Sequence, residues 1–199
     1  KIISLRPKRL GDIWNDVLST AEKLGVKHNG HAFQEEVDMR IQAVRERLAD
    51  WAQQRPKVLT IEWIDPIYVG GMWLPEMIHI AGGQVCIAES GEPAPVVSRE
   101  DLEKIEPDVV VVKPCGYKLD QTVKELEQLK AQLPWKKWQT RLGTRFYLVD
   151  GNSYFNRPGP RILDSLEILA HCTHPDLFPE FGEQYSEGLI PLGPEMKLS

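Results

Sequence analysis

Two small groups of residues in this sequence could carry chemistry of their own. The run 171–174 reads HCTH, and imidazole and thiolate groups both bind zinc and iron. Its two histidines lie near the end of a predicted helix, and no second cluster would complete a tetrahedral site. Asp65 and Cys115 each follow a predicted strand, but neither has a base or nucleophile beside it. The sequence therefore predicts a protein that is not an enzyme and has no metal site.

The overall composition excludes several other classes of function. The net charge is −5 and the pI is about 5.6, which disfavours binding to nucleic acid. No stretch approaches the ~20 consecutive apolar residues that cross a bilayer, so we expect no direct membrane insertion. The three cysteines, Cys86, Cys115 and Cys172, are odd in number and widely spaced, and therefore predict no disulfide framework.

Aromatic side chains and sharp turns are concentrated in two segments that follow predicted strands. The segments are 63–73, with the sequence WIDPIYVGGMW, and 152–160, with the sequence NSYFNRPGP. In a parallel sheet both would lie at the carboxyl edge, where open α/β sheets bind ligands. Flat aromatic faces with an Asn and an Arg would suit a large, planar ligand decorated with amides. The alternative is that these aromatics only seal the end of the sheet.

The elements that would position these segments begin with two helices. Apolar residues recur at helical spacing from Leu10 to Leu24, after a short β-type run at 2–5. A second helix is predicted from His31 to Gln54, with a turn at 28–30 before it. At about 24 residues it would be roughly 36 Å long. We name this predicted helix the spine.

Beyond residue 55 the pattern changes to short apolar runs that alternate with helices. Such alternation predicts βαβ units and a mainly parallel sheet. The predicted strands are 58–63, 84–88, 108–113 and 146–149, and the predicted helices are 72–80, one opened by Ser98, 119–133 and 161–171. The fold class is therefore α/β, with a long spine helix followed by a Rossmann-like C-terminal lobe. We divide the chain into hinge strand and spine (1–55), ligand-binding lobe (56–178) and loop-like tail (179–199).

The sequence resembles the cobalamin-binding branch of the periplasmic solute-binding proteins of ABC importers. The resemblance runs from about Ile3 to Phe178. It is carried by three segments: 55–66 (RPKVLTIEWIDP), 70–76 (GGMWLPE) and 150–161 (DGNSYFNRPGPR). In that family two α/β lobes joined by a long helix hold a corrinoid or an iron chelate between them. The resemblance implies that the lobe preceding this one is missing from the chain, and we expect a fragment or a partner chain.

The resemblance also implies roles for individual residues. Those placed against the ligand are Trp63, Tyr68, Trp73, Tyr154, Phe155 and Arg157. Glu100, in the segment VSRE at 97–100, matches the glutamate that docks onto the membrane permease. The plain alternative is that Glu100 only favours the N-terminal end of a helix. The implied ligand is cobalamin or a related corrinoid, with iron-siderophore and haem left open, and no further cofactor is expected.

The resemblance implies a periplasmic or cell-surface location and an ABC permease as partner. The free cysteines and the absence of a recognisable secretory signal at 1–7 leave a second hypothesis open. In it the chain is a cytoplasmic carrier of corrinoids or tetrapyrroles that uses the same fold.

Overall fold

The structure is a computed structural model that describes residues 2–51, 53, 55–141 and 143–193, with only the main chain of Arg141. The helices are α1 Leu10–Lys23, α2 Lys27–Leu48, α3 Leu74–Ile80, α4 Arg99–Lys104, α5 Leu119–Lys124, α6 Leu126–Gln132, α7 Ile162–Thr173 and α8 Pro179–Gln184. The strands are β1 Lys57–Ile64, β2 Ile67–Val69, β3 Gln84–Val85, β4 Val109–Val112, β5 Arg145–Val149 and β6 Leu189–Leu192. None of the described helices is long and apolar enough to cross a bilayer.

One twisted sheet runs through the middle of the molecule. Its strand order is β2-β1-β4-β5-β6, and β3 pairs with the first residues of β1 on the side where β2 lies. Strands β1, β3, β4 and β5 are parallel, whereas β2 and β6 are antiparallel edge strands. The predicted α/β class with a mainly parallel sheet is confirmed.

Helices cover both faces of the sheet, which explains the unbroken apolar run 109–112. Val109 and Val111 face a core shared with α1, α2, α3 and α7. Val110 and Val112 face a second core shared with α4 and α6. All four side chains are fully buried, as in other parallel strands that have helices on both sides.

The spine helix exists, but its bounds differ from the prediction of 31–54. Helix α2 covers 27–48, and its last turn continues as a 3-10 turn at Ala49–Trp51. Residues 52 and 54 lie outside the described part of the chain. The predicted turn at 28–30 is wrong because Gly30 is helical: a Cβ there would lie 2.9 Å from the Cβ of Ala21. Gly30 permits α1 and α2 to pack closely.

Side chains of opposite charge join the spine helix to α7. Arg40 of α2 lies 2.8 Å from Asp164 Oδ1 and 2.8 Å from Glu167 Oε1. Tyr185 follows the last residue of α8, and its hydroxyl donates a hydrogen bond to Glu167. Glu167 is 7% exposed, whereas the side chains of Arg40 and Asp164 are 22% and 27% exposed, so this group is only partly removed from solvent. We call these four residues the spine network.

Three further predictions of secondary structure need correction. Residues 2–5 form no strand in the structure, and the predicted helix 119–133 is divided at Glu125 into α5 and α6. The loop-like tail is wrong for residues 179–193, which contain α8 and β6. Strand β6 pairs with β5 from Phe146↔Leu192 to Val149↔Leu189, and it carries Pro191, which an edge strand tolerates.

Candidate functional site

Three loops meet at the carboxyl edge of the parallel strands. They follow β1, β4 and β5, and hydrogen bonds join them to one another. The amide of Asn152 donates to the Tyr117 carbonyl at 3.0 Å, and the Cys115 amide donates to the Glu62 carbonyl at 2.9 Å. At Gly151 a Cβ would lie 2.2 Å from the Pro114 carbonyl oxygen, so only glycine permits this approach.

Three aromatic residues lie side by side at this edge. The rings of Trp63 and Tyr117 meet edge to face, with centroids 5.4 Å apart and an interplanar angle of 68°. Tyr68 of β2 is the register partner of Trp63, and directly opposite residues of an antiparallel pair point to the same face. All three are half-buried, and the Trp63 indole N–H donates to the Asp65 carbonyl at 3.1 Å. We call Trp63, Tyr68 and Tyr117 the aromatic group.

A buried ion pair lies at the ends of β1 and β4. Lys113 Nζ is 2.8 Å from Glu62 Oε2, and the two side chains are 1% and 24% exposed. The Lys113 ammonium also lies 5.8 Å from the centroid of the Phe155 ring. Burial of a cation is costly unless an anion compensates for it, so Glu62 stabilises Lys113 in this position.

Polar groups of the loops after β4 and β5 complete the edge. The Cys115 thiol donates to Asn156 Oδ1 at 3.4 Å, and Arg157 donates to Asn152 Oδ1 at 3.2 Å. Although Cys115 is exposed as a residue, partial burial of its thiol raises the pKa to about 11, and the nearby Glu62 carboxylate contributes to this shift. The thiol is therefore neutral at pH 7 and is a weak nucleophile.

The sequence and the fold now assign a family. A family model described as periplasmic binding protein matches residues 4–146. The chain belongs to the periplasmic binding protein family. This membership agrees with the prediction that the chain is not an enzyme, because the family consists of binding proteins.

Solved structures with the same fold include several binding proteins for metal chelates. A periplasmic heme-binding protein from Pseudomonas aeruginosa has 20% identity and a TM-score of 0.68 over 94% of this chain and 63% of its own. An ABC transporter substrate-binding protein from Listeria monocytogenes has 15% identity and a TM-score of 0.74 over 87% of this chain and 67% of its own.

A periplasmic vitamin B12 binding protein of Vibrio cholerae has 20% identity and a TM-score of 0.64, with 92% of this chain and 67% of its own covered. The present chain thus spans about two thirds of the length of these three solved relatives. A comparison of the present sequence with proteins of curated function finds no match.

Of the six predicted ligand residues, three lie at the carboxyl edge. They are Trp63, Tyr68 and Arg157, of which Arg157 is exposed. Tyr154 is half-buried, meets Tyr185 edge to face at 5.6 Å, and has a pKa raised first by burial. Trp73 packs against the core next to α3, and its indole N–H has no hydrogen-bond partner among the described residues.

Phe155 lies in the core of this binding protein and is 1% exposed. The segment Gly151–Phe155 forms one wide helical turn, which directs the Phe155 ring inward. The Phe155 ring therefore packs near the Lys113 ammonium inside the core, and it is not part of the accessible edge.

Sequence reasoning missed three residues of the edge: Tyr117, Glu62 and Lys113. The segment 113–118 follows a parallel strand just as the two aromatic segments do, so the same topological rule could have identified Tyr117. Glu62 was hidden because it lies within a predicted strand.

Glu100, the predicted docking residue, lies in the first turn of α4. Its side chain is exposed. The Ser98 hydroxyl accepts a hydrogen bond from the Asp101 amide at 3.1 Å and donates to Asp101 Oδ2 at 2.7 Å, which confirms the predicted cap. The helix start is therefore fixed without Glu100, and its carboxylate remains exposed.

The two histidines and the cysteine of the HCTH segment, residues 171–174, contact different parts of the molecule. His171 Nδ1 lies 2.9 Å from the Phe178 carbonyl and His174 Nε2 lies 3.3 Å from the Gly82 carbonyl. Cys172 is fully buried, and burial raises the pKa of its thiol. Among the described residues no group of three metal-ligating side chains comes together.

Proposed function

We propose that this binding protein holds cobalamin or a related corrinoid for an ABC importer. The observation that carries the proposal is the aromatic group, with Asn152, Asn156 and Arg157 beside it at one edge of the sheet. The faces of a flat macrocycle pack well on aromatic rings, and its peripheral amides match amide and guanidinium side chains.

The solved relatives support this class of ligand. One is named for vitamin B12 and another for heme, and both compounds are macrocyclic metal chelates. Within this class we favour the corrinoid because the sequence segments 55–66 and 150–161 resemble the cobalamin-binding branch. The permease partner and a periplasmic location are part of the same proposal.

Calorimetric titration of the protein with cyanocobalamin tests the proposal. We expect saturable binding, and we expect Trp63→Ala to weaken it by about tenfold, because the loss of an aromatic contact costs ~1 to 2 kcal/mol. Trp51→Ala is the matched control, since Trp51 is an exposed tryptophan that precedes the first residue of β1, whereas Trp63 lies near the last residue of that strand. Absence of cobalamin binding, or equal losses in both variants, would contradict the proposal.

One observation favours a cytoplasmic carrier as a second candidate. The three cysteines are unpaired, and Cys115 is exposed, a state that persists more readily in a reducing compartment. Such a carrier would use the same edge for the same ligand. Cell fractionation distinguishes the two candidates, because only the importer component is found outside the cytoplasmic membrane.

A further inference from the structure

The ion pair between Glu62 and Lys113 has an unusual division of exposure. The cation is buried, whereas the Glu62 side chain is 24% exposed at the edge that bears the aromatic group. A ligand at this edge would therefore meet the carboxylate and not the ammonium. The ion pair has no net charge, but the group that it exposes at the edge is a hydrogen-bond acceptor, the Glu62 carboxylate.

The Glu62 carboxylate still has capacity for a ligand. A carboxylate offers about four acceptor positions. Lys113 occupies one of them at 2.8 Å, and the Cys115 thiol donates its hydrogen to Asn156 Oδ1. The remaining positions can accept N–H donors from a bound molecule.

Glu62 is held rigidly enough to discriminate between ligands. Its main-chain carbonyl accepts from the Cys115 amide, and its carboxylate is anchored by a lysine that is 1% exposed. A charge in such a partly desolvated position acts more strongly on a neighbour than a charge in water does. Other charges near the edge, such as Asp65 and Arg157, belong to exposed residues and are screened by solvent.

We propose that Glu62, positioned by Lys113, selects the ligand by its peripheral charge. The carboxylate accepts hydrogen bonds from primary amides and repels carboxylates, so the site favours a chelate with a neutral, amide-bearing rim. Chelates that carry propionates or other acids at the rim are disfavoured. This inference rests on the proposed function, because it requires that the chelate binds at this edge.

The test compares ligands that differ only in rim charge. Cyanocobalamin and its monocarboxylic acid derivatives, in which one peripheral amide is hydrolysed, are titrated into the protein, and hemin is titrated separately. We expect the wild type to bind cyanocobalamin more tightly than at least one of the acids. Glu62→Gln should reduce that preference by about tenfold, equivalent to about 1.4 kcal/mol, and should tighten hemin binding.

Two variants control for charge and for folding. Asp65→Asn removes an exposed carboxylate from the same edge and should leave the preference unchanged, because that charge is screened. Glu62→Gln leaves Lys113 without its anion and can lower stability, so the double variant Glu62→Gln with Lys113→Met is measured too. The double variant should also lose the preference for cyanocobalamin over the acids, although its affinity for hemin should rise less than that of Glu62→Gln.

The possible outcomes separate the two proposals. An unchanged preference in folded Glu62→Gln and in the double variant overturns the role of Glu62. A wild type that prefers the acids or hemin overturns it as well. If the wild type does not bind cyanocobalamin, the proposed function itself is contradicted.

Discussion

At the scale of single residues, Glu100 is an exposed carboxylate that the local fold does not need. Ser98 and Asp101 already satisfy the first turn of α4, so Glu100 adds only the weak attraction of an anion to a helix N-terminus. An exposed charge on a rigid turn suits contact with a cationic partner, and this supports the proposal that Glu100 docks onto a permease.

We expect Glu100→Ala to reduce uptake of labelled cobalamin by cells that depend on this protein, by about tenfold. Cobalamin affinity in solution should remain unchanged, because α4 does not contribute to the aromatic group. The matched control is Glu103→Ala on the same helix, whose carboxylate is paired with Arg99 at 3.3 Å. Equal loss of uptake in both variants would count against a specific contact through Glu100.

The aromatic residues show what sequence can and cannot predict at this scale. Their concentration after parallel strands is visible in the sequence, and Trp63 and Tyr68 lie at the edge. The direction of each ring is decided by local backbone geometry, which has no sequence period outside helices and strands. Phe155 therefore turned out to be a core residue, whereas Tyr117 was overlooked.

At the scale of elements, His174 links the end of α7 to the turn after α3. Its ring is 7% exposed, and its Nε2 lies 3.3 Å from the Gly82 carbonyl. Burial is the main cause that lowers the pKa of His174, and Arg145 adds to it. In the folded protein the ring therefore stays neutral at a pH where the unfolded chain already binds a proton.

We predict that stability falls as the pH drops below ~6.5, the ordinary pKa of histidine. The sign follows because the unfolded state takes up more protons, so the free energy of unfolding decreases toward lower pH by up to ~1.4 kcal/mol per unit. In urea titrations at pH 7.5 and 5.5, His174→Gln should show a smaller loss than the wild type. His79→Gln, at an exposed histidine, should retain the full loss, and an equal effect of both substitutions would refute the prediction.

Regular elements were predictable where periodicity was long or hydrophobicity unbroken. Helix α1 and strands β1, β4 and β5 lie within a few residues of their predicted positions. The strand β2, of three residues, gives no readable period. The local sequence at Gly30 predicts a turn because the close partner that requires a glycine, Ala21, belongs to another helix.

At the scale of the whole molecule, the C-terminal segment closes the sheet. Strand β6 covers the edge of β5, and Tyr185 and Leu189 are buried in the core shared with α7. Residues 179–193 therefore belong to the same folding unit as the lobe. Short strands with Pro and Gly nearby escape recognition from sequence because their stability comes from pairing with a distant strand.

Truncation of the chain after Gly188 should expose the edge of β5 and remove Leu189 from the core. We expect a loss of several degrees in Tm and a tendency to associate, because an unpaired strand edge is a template for pairing between chains. Thermal unfolding and size-exclusion chromatography measure the two effects. Truncation after Gly193 is the control and should leave Tm and elution unchanged, and equal behaviour of the two truncations would argue against a structural role for β6.

The spine network also restricts how this sequence can evolve. Substitution of Arg40 alone would leave the Asp164 and Glu167 carboxylates without their cation in a partly buried position, which is destabilising. Replacement of all four residues by apolar ones of similar volume would cost much less. Single substitutions at these positions therefore pass through less stable intermediates, so we expect the four residues to change together in related sequences.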